Sequence, residues 1–149
     1  MDTRLTFPKS ERLRHKALVD PLFIEGKSVY AYPLRCVFRP LSEADLHATF
    51  KAGVPDRLAP LQVLITVPKK KRRHAVDRVL MRRRIRECYR LQRRALRSAV
   101  EEMPDIRTLS VAFIYLADKN IDSATLNAKI GELIAKIQKE LKKSNTGTL

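Results

Sequence analysis

The apolar positions of the chain repeat with two periods, one of strands and one of helices. LQVLITV at 61–67 is a continuous apolar run of strand length, and LSVAFIYLA at 109–117 is a second. SVYAYPLRCVFR at 28–39 is extended in character, and Pro33 divides it into two strands or one strand with a break. Ahead of it, Leu13, Leu18, Leu22 and Phe23 anchor a helix-like region that opens at Ser10-Glu11. Pro21 interrupts that region, and Asp20-Pro21 reads as an N-cap followed by proline at the first helical position. The expectation is a kinked or two-part helix that ends near Gly26. Residues 41–60 hold Gly53, Pro55 and Pro60 with no steady period, and are read as a loop.

The longest helical pattern follows Pro68. With about 100° per residue counted from Ile85, Met81, Ile85, Cys88, Tyr89, Leu96 and Ala99 share one stripe. Arg82, Arg83, Arg86, Arg90, Arg93, Arg94 and Arg97 fall on a broad opposite face, and Arg78 lies nearer the apolar side. Pro104-Asp105 puts the end of this helix near Met103. A last helix, capped by Asp122 or Ser123, carries Leu126, Ile130, Leu133, Ile134, Ile137 and Leu141 on one stripe. The predicted order is α-β-β-β-α-β-α in one domain spanning 1–149, with flexible ends at about 1–9 and 144–149. That is an α+β two-layer sandwich with helices over one sheet face.

Charge changes the picture from fold to partner. The 149 residues include 31 Lys or Arg against 16 Asp or Glu, a formal charge of +15. Between Lys69 and Arg94 there are 13 basic residues and two acids, Asp77 and Glu87, a net +11 in one short window. Like charges at this density need an external polyanion. A guanidinium offers a planar fork that fits phosphate oxygens, and successive turns of one helix face present such forks about 5.4 Å apart. A membrane-surface helix would need its apolar face exposed, whereas the strands here need that face as cover. Nucleic acid is therefore preferred to a membrane, and RNA to DNA because the basic face has few Asn or Gln residues to read base edges. The chain's first residues have no signal-like apolar stretch, and the run at 109–117 is too short to cross a bilayer as a helix. Cys36 and Cys88 lack metal-ligand spacing and read as buried thiols of a reducing cytoplasm. The acids are scattered, and His15, His47 and His74 belong to no evident catalytic motif.

The segment AVDRVLMRRRIRECYR at 75–90 resembles the signature helix of the bacterial ribonuclease P protein component. Ala75, Arg78, Arg82-Arg83, Arg86-Glu87 and Arg90 match its pattern, as do Arg12-Leu13, Phe23, Gly26 and Ser28 in the N-terminal stretch and the VPKKK run before the helix. Val79 and Leu80 stand where that family has an asparagine and a second arginine, and Val19 where many members have an aromatic. Restoring both residues, with asparagine at 79 and arginine at 80, is expected to tighten RNA binding.

The resemblance implies the fold that this family shares with some ribosomal protein domains. It also implies a protein subunit that assists a catalytic RNA in removing the 5′ leader of precursor tRNA. It implies an endoribonuclease holoenzyme whose catalytic centre lies in the RNA, with no catalytic residue in this chain. Lys69, Lys70, Arg78, Arg82, Arg83, Arg86 and Arg90 would meet the catalytic RNA. Phe23, Phe38 and Val19 would line a leader-binding cleft, in which aromatic faces stack on bases of any sequence. Mg²⁺ would be held mainly by the RNA, no protein partner is required, and the expected location is cytoplasmic. The competing reading is a ribosomal or general structural RNA-binding protein; a self-sufficient nuclease is disfavoured.

Overall fold

The computed structural model describes residues 7–55 and 58–146, without the side chains of 144–146. A 3₁₀ turn at Lys9–Glu11 leads to α1 (Lys16–Glu25), β1 (Lys27–Ala31), β2 (Leu34–Leu41) and α2 (Glu43–Thr49). Then come β3 (Leu61–Thr66), α3 (Ala75–Glu101), β4 (Thr108–Tyr115) and α4 (Ser123–Thr146). The strands form one sheet in the order β1-β2-β4-β3. β1 with β2 and β2 with β4 are antiparallel, while β3 and β4 are parallel and joined through α3.

The period of two along the strands sorts the core into two halves. Leu34, Cys36 and Phe38 of β2 and Leu109, Val111, Phe113 and Tyr115 of β4 face α3 and α4. The apolar stripe of α3 covers them with Met81, Ile85, Cys88, Tyr89 and Leu96, all buried, and the α4 stripe from Leu126 to Leu141 completes this half. On the other side, Val37, Leu41, Ala112 and Ile114 pack with Leu18 and Leu22 of α1 and Leu46 of α2. The α+β class stands and the element order holds apart from the added α2, but the second sheet face is covered by short helices rather than left open. β4 is buried along its whole length, which is why its sequence shows a continuous apolar run instead of alternation.

Three local expectations change. α1 starts at Lys16 with His15 before it, and Pro21 sits inside one helix instead of opening a second. The segment 41–60 is not all loop. Ser42 Oγ accepts from Asp45 N at 3.2 Å and Asp45 Oδ2 accepts from Ser42 N at 2.9 Å, a capping box that starts α2. At the ends, Phe7 packs edge-on to Tyr89 with ring centroids 5.3 Å apart, and α4 runs to Thr146. The expected tails at 1–6 and 147–149 lie outside the described residues. Gly26 closes α1 as expected, because of proximity: a Cβ there would lie 2.4 Å from Leu22 O and 2.7 Å from Val37 Cγ1.

Candidate nucleic-acid interface

The loop 67–74 and the first turns of α3 hold the densest charge, and part of that charge is spent inside the protein. Arg72 pairs with Asp77 at 3.0 Å, and its Nη1 donates to the Asp118 carbonyl at 2.6 Å. Arg78 Nη1 donates to the carbonyls of Arg72 and Arg73 at 3.0 and 2.8 Å. Asn120 donates to Asp77 at 3.2 Å, and this bond, with the nearby Arg72 charge, holds the Asp77 carboxyl below the usual carboxylate range. Arg84 Nη1 donates to the Ile121 carbonyl at 2.8 Å. These bonds fix the basic loop against the β4–α4 connection. Arg78, expected as an RNA ligand, is half-buried and straps the loop to the helix.

Farther along α3 the expected basic face is narrower than its periodicity implies. Arg93, placed on that face by helical angle, is buried. Its Nε donates to Glu11 Oε1 at 2.7 Å, and its Nη2 reaches Glu11 Oε2. Arg97 joins the same carboxylate at 2.9 Å and also pairs with Glu101 at 3.1 Å. The 3₁₀ turn lies over α3 here and supplies the buried counter-charge that makes this position tolerable. Arg90 pairs with Glu87 at 2.9 Å on the surface.

The remaining cations form the site. Among the described residues, Lys69, Lys70, Lys71, Arg73, Arg82, Arg83 and Arg86 neither donate a side-chain hydrogen bond nor form an ion pair. Lys69, Lys70, Arg83 and Arg86 are exposed and Arg82 is half-buried. Val79 is also exposed, on the helix face shared by Arg83 and Arg86. An array of unneutralised forks and ammonium groups on a rigid helix and its anchored loop is suited to successive phosphates of a polyanion.

The expected leader cleft is only partly assembled. Phe23 is 41 % exposed on α1, with its ring open to solvent. Val19 is half-buried against the core beneath the same helix. Phe38 is a correction: at 1 % exposure it lies in the core under α3 and α4, on the opposite sheet face, and offers no ring to a strand. The sheet face under α1 carries two further residues that periodicity alone does not bring together. Tyr30, 55 % exposed, is paired across the hairpin with Arg35, whose Cζ lies 5.9 Å from the Tyr30 ring centroid. Arg35 Nη2 donates to Ser28 Oγ at 3.1 Å. Strand alternation puts Arg35 on the face of Val37, the face covered by α1. The signal was present in the two-residue spacing of Ser28 and Tyr30 and of Arg35 and Val37, but pairing them needed the register.

His15, His47 and His74 lie on separate elements, His47 beside Glu43 at 3.8 Å and His15 edge-on to Phe50. Among the described residues, no group of three or more His, Cys, Asp or Glu is placed to hold a metal ion. No described helix is long and apolar enough to cross a membrane. Cys36 and Cys88 are free and buried, and burial pushes both thiols up.

Fold and charge together define a small α+β protein with a strongly basic outer helix face. The family model for Ribonuclease P matches residues 7–140, and the chain belongs to that family. A ribonuclease P protein component of Porphyromonas gingivalis strain W83 is 32 % identical over 129 residues, 87 % of this chain and 84 % of that one. One from Chlorobium phaeobacteroides is 30 % identical over 114 residues, 74 % and 72 % of the two chains. The RNase P protein of Thermotoga maritima shares the fold at a TM-score of 0.58 and 20 % identity, over 85 % of this chain and 96 % of that one. A Staphylococcus aureus RNase P protein does so at 0.59 and 18 %, over 90 % and 93 %. Membership implies a ribonuclease holoenzyme and an RNA subunit as partner.

Proposed function

We propose that this chain is the protein subunit that helps a catalytic RNA remove the 5′ leader from precursor tRNA, and that the bond is cut at a centre in the RNA. The observation that carries the reading is the cluster of unneutralised cations at Lys69, Lys70, Arg82, Arg83 and Arg86 on the loop and helix of the family's signature segment. These residues bind the RNA subunit. Arg78 acts by holding their loop, and Arg90 joins them once the RNA competes with Glu87. On the α1 side, Phe23 with Val19, Tyr30 and Arg35 binds the single-stranded leader, with ring faces and a guanidinium plane stacking on bases. Mg²⁺ stays with RNA phosphates and water. The work is cytoplasmic and needs no further protein.

Reconstitution tests this. The purified chain, the cognate catalytic RNA and precursor tRNA are combined at low Mg²⁺. Stimulated release of the leader supports the reading. RNA binding without stimulation returns the ribosomal-type alternative, and cleavage with no added catalytic RNA would make the chain itself a nuclease.

A further inference from the structure

Between the N-terminal segment and α3, beside the outer edge of β3, lies a cleft of about 190 Å³ lined by Phe7, Arg12, Val63, Ile65, Arg82 and Arg86. Three arginines from two distant parts of the chain line it, with no carboxylate among the lining residues. The neighbouring acid, Glu11, is turned away onto Arg93 and Arg97. That buried contact fixes the segment on α3. One residue on, Arg12 bridges to Val63, and Leu13 N donates to the Val63 carbonyl at 2.9 Å. Glu11 is thus used inward and Arg12 is presented outward, its Cζ 5.6 Å from the Phe7 ring centroid. Among the described residues, none of Arg12, Arg82 and Arg86 has an anionic partner. The cleft is small beside the roughly 300–1,000 Å³ of small-molecule pockets, and a phosphate group fits it.

We infer that Arg12, Arg82 and Arg86 form a clamp that closes on one backbone phosphate of the RNA subunit, with Arg12 delivered by the Glu11–Arg93 anchor. This rests on the function proposed above and adds to it a specific subsite and a residue outside the signature helix. Three forks converging on one group act together. Once the phosphate leaves the cleft, the guanidinium groups that remain have little to hold.

A double-mutant cycle on the full chain, read as affinity for the cognate catalytic RNA at fixed salt, tests the clamp. Arg12→Gln and Arg86→Gln are each expected to weaken binding roughly tenfold, as a lost charge-assisted contact does. Together they should weaken it by little more than either alone, within about threefold, because the two share one phosphate. Arg12→Gln with Arg83→Gln should multiply to about a hundredfold, since Arg83 does not line the cleft. If Arg12→Gln lowers the melting temperature, Arg12→Lys replaces it in the cycle. It keeps the charge but not the fork, and about a threefold loss is expected. Wild-type affinity in the Arg12 variant, or full multiplication of the Arg12 and Arg86 effects, overturns the clamp while leaving the function intact. Failure of the wild-type chain to bind this RNA overturns both.

Discussion

Glu11 carries a charge into the interior to meet Arg93, and both are almost completely buried. A buried pair is costly to assemble, but removing one partner leaves the other charged and unsolvated. Glu11→Ala should therefore lower unfolding free energy by about 3–5 kcal/mol in a urea titration. A loss below about 1 kcal/mol would mean that water reaches Arg93 after all. Gly26→Ala should cost about 1–3 kcal/mol, because the added methyl meets a carbonyl oxygen and a Val37 methyl. The same titration checks it, and an unchanged midpoint would show that α1 and β2 can part at no cost. The thiols give a third expectation. Burial disfavours the thiolate of Cys36 and Cys88, so both should resist a thiol reagent in the native chain and react in denaturant. Rapid native labelling would contradict it. At this scale the sequence was legible where a residue's own element decides its fate, as for Tyr89 and Ile85. It was not legible for Arg93, whose helical angle is polar but whose partner comes from 82 positions away. Nor was it for Phe38, because a strand pattern does not say which helices cover which face.

The long helix α3 was the most readable element. Its six stripe positions, from Met81 to Ala99, are all buried, since a 27-residue amphipathic pattern averages out local exceptions. α2 was missed for the opposite reason. Its seven residues bury one side chain, Leu46, which is too short for a period, and the sign was the Ser42–Asp45 box. Pro21 lies inside α1, whereas local chemistry alone marks Asp20-Pro21 as a helix start. The structure also separates Val79 from Leu80. Val79 is exposed on the face of Arg83 and Arg86, whereas Leu80 is half-buried against the core. The expectation that restoring both would tighten RNA binding is thereby narrowed. Val79→Asn alone should strengthen binding about two- to tenfold, the worth of one hydrogen bond. Leu80→Arg should instead cost stability through lost packing. Equal affinity of Val79→Asn and wild type across a salt series would remove Val79 from the interface.

Across the length of α3, charge is segregated. The unpaired cations of the 69–86 segment lie at its start, while Glu101, Glu102 and Asp105 follow at its far end. Arg86 and Glu102 are about 24 Å apart along the helix axis, more than twice the roughly 10 Å screening length at 0.1 M salt. The two ends therefore act independently, and the basic end leads. Arg86→Glu should weaken assembly with the RNA subunit by at least about tenfold, and Glu102→Lys should change it less than about twofold, in the same binding assay. Composition alone announced a polyanion partner. It could not divide the basic residues into those that hold the protein together and those left for a ligand, because that division depends on carbonyls and carboxylates from other elements. The most direct test of the division is the affinity of the wild-type chain for its catalytic RNA across a range of salt concentrations. A logarithmic plot should fall linearly with a slope of several units, as condensed counterions are released by several phosphate contacts. A slope near zero, or no association at any salt, would contradict the account.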